Sequence, residues 1–504
     1  MRYTNRNPFH ILSKNYVPYS FLMTALRYKV LTGTFWSMFG QVAYVGVMLI
    51  TNIIMSRILS PYEFGQVGIV MFFIVIANVL TESGLSGALV RKSDASETDF
   101  STVFIFNLVV SVALCLLLIL FAGTIAAFYK DPSLKRILMV LSTVLVINAF
   151  QMVQNAKLVK ELSFKRKSVF NFVAIALASV IGIIAAWKGA GVWAMVLIQI
   201  LSSLFLTILL WYYEGPVRKW IFSRASFKDL YAYGVNTTLA SILNTAFDNI
   251  YQIIIGKYFS IMQVGLYYQA KKLQDVPGNV LNLTIQGALF SSLSQLQNDK
   301  EQFSRAYNKI ILLFTVLMGL ITSVTFLFSK EIIVFLFGAK WSDSTYFIQM
   351  LTLGSFFFLQ ETMNRNIFKV FNRTRTILHL ELVKKAILCV SLVIGVFYRD
   401  LHIMLVGFVI TSAISYLINF YYSRKILGSV SAYELIVVAK IIVIAAFNTL
   451  AWGLLFNYIN LKGPLLLLLT PVFAVTYFVL LRVFRVSDIV KEGKQVLTIY
   501  KTKK

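Results

Sequence analysis

The chain has 504 residues, of which 58% are hydrophobic, 15% aromatic and only 13% charged; 47 lysines and arginines against 21 acids give a formal net charge of +26. Soluble domains carry about 25% charged residues, so this composition excludes a disordered protein, a secreted disulfide scaffold and an ordinary water-soluble enzyme. The basic excess invites a nucleic-acid reading, which the placement of the charges along the chain excludes.

The segment ahead of the first long apolar run holds Arg2, Arg6, Lys14, Arg27 and Lys29 between short aromatic stretches, with no small-residue cleavage site. It reads as a retained basic arm, 1–32, on the cytoplasmic membrane surface rather than as a signal peptide. From there the chain is a succession of apolar runs. A helix needs about 20 apolar residues to cross a bilayer. Fourteen spans are predicted, at 33–55, 66–87, 101–127, 134–154, 169–186, 191–213, 231–255, 264–290, 310–328, 345–368, 378–396, 401–422, 435–456 and 464–482. Lysine and arginine favour the side of the N-terminus by more than three to one, which predicts an even number of spans with both ends in the cytoplasm. That orientation signal accounts for the net charge.

The spans group into an N-lobe at 33–213, a cytoplasmic linker at 214–230, a C-lobe at 231–423, two further helices within 434–483 and a basic tail at 484–504. Displacing the sequence by two hundred positions overlays Arg57-Ile58-Leu59-Ser60 through Gly65 on Lys257-Tyr258-Phe259-Ser260 through Gly265, and Gly87-Ala88-Leu89 on Gly287-Ala288-Leu289. Polar positions coincide as well: Gln41 with Ser241, Tyr44 with Asn244, Asn52 with Gln252. A six-helix unit returns to the side on which it began. The repeats are therefore parallel, about an axis along the membrane normal, an arrangement typical of alternating-access transporters.

Ionisable groups within a span face water or a partner. On the seventh span Thr237, Ser241, Asn244, Asp248 and Gln252 share one helical face, and on the eighth Lys271, Asp275, Asn279, Asn282 and Gln286 do the same, with Pro277 expected to kink the helix. The first span carries a fainter stripe, Ser37, Gln41, Tyr44 and Asn52. A lone asparagine would be explained by interhelical hydrogen bonding, whereas two adjacent stripes of five fit a hydrophilic cavity. Depth along the helices suggests that Asp248 meets Lys271 or Lys272, and that Glu361 meets Lys384 or Lys385, while Glu381 and Lys385 stand four residues apart and can satisfy each other. Glu82 has no evident mate, which makes it a candidate for carrying a coupled proton. Lys440 is close enough to the cytoplasm to snorkel. Five embedded lysines then stand against five embedded acids.

There is no phosphate-binding loop, no metal-ligand spacing among His10, His379, His402, Cys115 and Cys389, and no nucleophile elbow. An enzyme is not expected, and no cofactor beyond a proton or sodium gradient.

Leu59-Ser60-Pro61-Tyr62-Glu63-Phe64-Gly65 after the first span, Gly84-Leu85 leading to Ala88-Leu89-Val90, Leu162-Ser163-Phe164-Lys165-Arg166 and Phe337-Gly338-Ala339-Lys340-Trp341 follow one another in order. Together they resemble the multidrug/oligosaccharidyl-lipid/polysaccharide exporter superfamily, and within it the Wzx-type polysaccharide transporters of the colanic-acid and teichuronic-acid branch. The resemblance implies an all-α membrane fold of fourteen helices, two six-helix lobes plus two C-terminal helices, around a V-shaped cavity. It implies flipping of undecaprenyl-pyrophosphate-linked oligosaccharide, with membrane lipid and a glycan polymerase or glycosyltransferases as partners. Basic cavity residues of such a family correspond here to Lys271, Lys272, Lys384 and Lys385, with the acids Glu82, Asp248, Asp275 and Glu361 as ion-coupling candidates. The alternatives are a cation-coupled multidrug exporter of the same superfamily, which would want a smaller and more acidic pocket, and a membrane polysaccharide polymerase or ligase, which would want a large outer loop.

Overall fold

The computed structural model describes residues 19–82, 84–217, 219–284, 293–428, 432–459, 463–484 and 486. Long apolar runs without interior turn residues leave the backbone only its own carbonyls to bond. The described chain is accordingly helical throughout, with no strand. In order come α1 (Tyr19–Ile58), α2 (Pro61–Glu82), α3 (Leu85–Arg91), α4 (Glu97–Phe128), α5 (Ser133–Lys160), α6 (Phe164–Trp187), α7 (Val192–Glu214), α8 (Arg224–Asp248), α9 (Ile250–Tyr258) and α10 (Ile261–Thr284). They are followed by α11 (Lys300–Leu327), α12 (Ser329–Phe337), α13 (Ser344–Val370), α14 (Thr374–Phe397), α15 (Leu401–Leu427), α16 (Tyr433–Ile459) and α17 (Thr470–Val483). Among the described residues, ten segments are long and apolar enough to cross a membrane by length and composition. The protein is a multi-pass membrane protein. Four further expected spans, at 231–255, 264–290, 345–368 and 378–396, fall on α8–α9, α10, α13 and α14, which are helical but richer in polar side chains; residues 285–290 lie outside the described set.

Polar residues set the helix ends. Ser96 and Asp99 form a reciprocal capping box at the start of α4. Ser60 and Glu63 do the same for α2: the Ser60 N–H donates to Glu63 Oε2 at 2.7 Å, and the Glu63 N–H donates to Ser60 Oγ at 3.4 Å. That exchange gives the Ser-Pro-Tyr-Glu stretch its physical meaning.

Two expected continuous spans are broken. Gly84, at φ 63°, stands between α2 and α3 within the second span, a conformation glycine adopts without strain. The seventh span divides at Asp248–Asn249 into α8 and α9. Pro277, by contrast, lies inside α10. Helix also reaches into the expected arm and linker, since α1 already begins at Tyr19 and α8 at Arg224; residues 1–18 lie outside the described set.

The chain divides into two compact units, one comprising Met1–Ile58 and Val70–Asp248, the other Leu59–Ile69 and Asn249–Lys504. In the first, Ser168 Oγ donates to the Trp36 carbonyl at 3.1 Å, drawing α6 against α1. Phe104 packs among Phe150, Trp211 and Trp220. The segment after α7 is strapped to α4: Ser101 Oγ donates to the Lys219 carbonyl and accepts from the Ile221 N–H at 2.9 Å, and Thr102 Oγ1 accepts from the Ser223 N–H at 3.1 Å. Lys92 adds ion pairs to Asp99 at 3.2 Å and Asp229 at 3.1 Å.

In the second unit a buried core runs through Phe303, Tyr307 and Ile311 of α11, Leu359, Met363 and Ile367 of α13 and Val438 of α16. Gly319 of α11 lets Ile441 and Tyr477 approach closely, and Tyr477 OH donates to the Val316 carbonyl at 3.0 Å.

The two units share turn geometry. Leu162 and Asn372 both adopt left-handed backbone, and each turn repeats the same pair of bonds, Leu162 N–H to Val159 O with Ser163 N–H to Leu158 O, and Asn372 N–H to Lys369 O with Arg373 N–H to Phe368 O. The next turn matches too, with Gly189 and Arg399 left-handed and bonds from Ala190 to Ala185 and from Asp400 to Gly395. The offset that carries Leu162 onto Asn372 and Gly189 onto Arg399 is ten positions longer than the one that carries Gly65 onto Gly265. The register therefore lengthens between the early and the late helices of the repeat.

Candidate functional site

The densest group of buried charges lies between α13 and α14. The side chains of Lys384 and Glu361 are only 8% and 7% exposed, and Lys384 Nζ stands 2.5 Å from Glu361 Oε1 and 2.7 Å from Glu381 Oε1. Arg365 Nη1 completes the group at 3.3 Å from Glu381 Oε1. Two cations and two carboxylates leave the cluster neutral, the condition under which charges persist in an apolar interior. The helical spacing explains the geometry. Glu361 and Arg365 lie one turn apart on α13, and Glu381 and Lys384 one turn apart on α14, so two faces of two charges meet.

The expected Glu361–Lys384 pairing is formed. Glu381 is held by Lys384 and Arg365, and Lys385, half-buried four residues on, also acts on it electrostatically, as its spacing suggests. A balance of five embedded lysines against five acids leaves out Arg365, which lies within the tenth span, and also Arg424 and Glu434. Those two form a buried pair between α15 and α16, with side-chain exposures of 7% and 0%. They sit at span ends, where charge is ordinary, so the sequence carries no signal for them beyond a ten-residue separation across a short loop.

The helix that carries the second stripe, α10, is packed on the same framework through a neighbouring residue. Gln274 Nε2 donates to Ser355 Oγ of α13 at 2.7 Å, six residues and about 9 Å along that helix from Glu361. Lys271 Nζ reaches Asp275 Oδ2 on its own helix at 3.6 Å, with side chains 26% and 43% exposed, and Lys272 Nζ lies 4.5 Å from the Tyr268 ring. Asn279 and Asn282 lie on α10 with their side chains outside the described set, and Gln286 lies outside the described residues altogether.

The remaining candidates belong to the first unit. Gln41 and Tyr44 lie on α1, exposed and half-buried; Asn244 and Asp248 are exposed on α8, with Asp248 its last residue. Glu82, expected to be without a mate, ends α2 within electrostatic reach of Lys167 on α6. The longer of the two repeat offsets maps Glu361, Arg365, Glu381 and Lys384 onto Gln151, Asn155, Asn171 and Ala174. The first unit therefore carries neutral groups there. Gln151 Nε2 donates to Asn148 Oδ1 at 2.6 Å, and Asn148 Nδ2 to Asn78 Oδ1 at 3.0 Å. Among the described residues, no three His, Cys, Asp or Glu side chains are grouped as a metal site requires.

This geometry belongs to a chain whose residues 54–346 match the profile of the family described as "Polysaccharide biosynthesis protein". The chain belongs to that family. It is similar to the succinoglycan biosynthesis transport protein ExoT of Rhizobium meliloti, with 24% identity over 63% of this chain and 65% of that protein. It is also similar to the lipopolysaccharide biosynthesis protein WzxC of Escherichia coli, with 23% identity over 65% and 67%. The matches thus span about two thirds of those relatives' lengths. In fold it resembles the lipid II flippase MurJ in an inward closed conformation, with a TM-score of 0.69 at 13% identity over 90% of this chain and 98% of that one. It also resembles an inward-facing multidrug resistance MATE family transporter, with a TM-score of 0.59 at 17% identity over 77% and 94%. The family is thus one of polysaccharide biosynthesis, and the fold is one shared with a lipid II flippase and a multidrug transporter.

Proposed function

We propose that the protein flips an undecaprenyl-pyrophosphate-linked oligosaccharide, a surface-polysaccharide precursor, across the bacterial inner membrane by alternating access. In this reading the chain crosses fourteen times, with two parallel six-helix lobes, two C-terminal helices and both ends in the cytoplasm. Polar faces shelter the glycan and pyrophosphate from hydrocarbon while the polyprenyl tail stays in lipid. The observation that carries the reading is the neutral four-charge cluster of Glu361, Arg365, Glu381 and Lys384 inside a helical bundle of this family. Intramembrane ionisable groups are costly and accompany substrate or ion paths, and only one of the two units carries these charges. Partly exposed Lys271 and Lys272 are the groups suited to a pyrophosphate. A proton or sodium gradient would drive the cycle through Glu82, Asp248, Asp275 or Glu361.

The test is translocation of a fluorescent undecaprenyl-pyrophosphate-linked oligosaccharide in proteoliposomes, with and without an imposed ion gradient. Protein-dependent flipping that falls at least tenfold in the combined variant Lys271→Ala, Lys272→Ala, Asp248→Ala supports the proposal; unchanged flipping in that variant rejects the assignment of these residues. Uptake of lipophilic drug cations with no flipping would favour the multidrug reading, which has the MATE-like fold behind it.

A further inference from the structure

One turn of α13 is bonded on every side. Gln360 Oε1 accepts from Thr315 Oγ1 of α11 at 3.1 Å. Glu361 holds Lys384 of α14, and Arg365 holds Glu381 of the same helix. Between them, Asn364 is fully buried and uses both ends of its amide: Nδ2 donates to Glu434 Oε1 of α16 at 2.6 Å, and Oδ1 accepts from Ser423 Oγ of α15 at 2.6 Å. Glu434 is itself paired with Arg424 and accepts from Tyr307 OH of α11 at 3.3 Å, while Arg424 lies 5.3 Å from the Tyr307 ring and 5.0 Å from that of Phe420.

A buried ion pair is a weak source of stability, because an apolar pair of the same shape would serve as well or better. What such a pair supplies is direction and register. We infer that Glu434 is a positioning residue for the Glu361–Lys384 pair, acting through Asn364, and that α16 is consequently part of the charged site rather than an appendage to it. Asn364 and Glu361 are three residues apart and so project about 60° apart around the helix axis. Holding the Asn364 amide at both ends fixes the rotation of α13. A turn of about 20° would carry a carboxylate at a radius of about 6 Å sideways by about 2 Å, enough to separate a contact of 2.5 Å. The inference rests on the transport reading for its biological meaning, but not for its test.

The test is the reactivity of Lys384 toward membrane-permeant acetic anhydride, read by peptide mass spectrometry on the full-length protein in membranes. Paired and buried, Lys384 acetylates slowly. In Glu434→Gln its labelling is expected to rise about tenfold, while Lys271 and buried Cys115 keep their wild-type reactivity. Glu434→Asp, which restores the charge, is expected to return Lys384 to within about twofold of wild type. Should Glu434→Gln fail to reach the membrane, Ser423→Ala removes a single bond from Asn364 and is expected to raise labelling two- to threefold. Unchanged Lys384 labelling in the recovered variant overturns the inference, as does a rise shared equally by Lys271 and Cys115. A selective rise in a protein that flips no lipid-linked sugar leaves the positioning role standing and removes the proposed function instead.

Discussion

Gly65 of α2 and Gly265 of α10 pack against each other's helix reciprocally. A β-carbon on Gly65 would lie 1.9 Å from the Ile261 carbonyl oxygen, and one on Gly265 would lie 1.7 Å from the Pro61 carbonyl oxygen. Pro61 and Ile261 begin the two helices, each four positions ahead of its glycine, so the crossing has the self-complementarity of a local two-fold axis. Small residues permit this approach, as in other closely crossed membrane helices.

Neither glycine tolerates a side chain. Gly65→Ala and Gly265→Ala are each expected to destabilise by about 1–3 kcal/mol through overpacking against a backbone carbonyl that cannot rotate away. Gly46→Ala and Gly123→Ala, where a methyl meets nothing within 4 Å, serve as controls. Melting of the purified protein in detergent is the measurement, and equal behaviour of all four variants would contradict the close crossing.

The charge cluster should behave as a unit. Removing one member of a buried pair costs about 3–5 kcal/mol when it strands the other, so Lys384→Met, which strands Glu361, is expected to destabilise strongly, and Glu361→Gln less, because Lys384 keeps Glu381. The double variant should lose less than the two singles together, because Glu381 keeps Arg365 and no unpaired charge is left at Glu361. A double-mutant cycle in denaturant reads this coupling directly; strict additivity would mean that the pair is not formed.

Lys271 differs from Lys384 in being partly exposed and paired with a carboxylate of its own helix. Such a pair is worth about 0.3–0.5 kcal/mol. Lys271→Ala is therefore expected to leave the melting temperature within about 1 °C while reducing lipid-linked sugar translocation, which separates a substrate-facing lysine from a structural one.

Ser101 both donates to and accepts from the strap that follows α7. Ser101→Ala strands the Ile221 N–H and the Lys219 carbonyl and is expected to cost about 1–3 kcal/mol, with protease cleavage between Gly215 and Ser223 as the readout. Thr102→Val, which removes one bond to the strap and one to the Thr98 carbonyl of its own helix, should free the strap less.

Hydrogen bonds donated to Asp229, and after it to Asp99, hold the Lys92 ammonium above its ordinary value. A lysine raised in this way contributes its stability below its unfolded value and loses it as the pH climbs through the folded one. The melting-temperature difference between wild type and Lys92→Met is therefore expected to stay flat from about pH 6 to 9 and to shrink only above about pH 10.4. A slope within the flat interval would assign the effect to another group.

Much of the fold was legible from residue order. Apolar runs of bilayer length located the helices, and the alignment of Gly65 with Gly265 picked out two positions at which the structure crosses a pair of helices. Equal depth on consecutive spans narrowed the partner of Glu361 to Lys384 or Lys385, and the structure pairs it with Lys384. Broken helices were harder to foresee: Asp248–Asn249 and Gly84 interrupt runs whose mean polarity barely changes, because a helix break needs only one or two residues. The lengthening of the repeat was hidden for a similar reason, since apolar membrane sequence aligns almost equally well in neighbouring registers.

Composition and spacing by themselves determined that this chain is a helical membrane protein with internally repeated parts and charges set inside it, because hydrocarbon penalises every unpaired polar group in proportion to the sequence that carries it. Which charges neutralise one another was decided only by tertiary structure. Arg365 meets Glu381, and Arg424 meets Glu434, across helix faces whose rotation is fixed by packing, and no one-dimensional spacing specifies the rotation of one helix against the next.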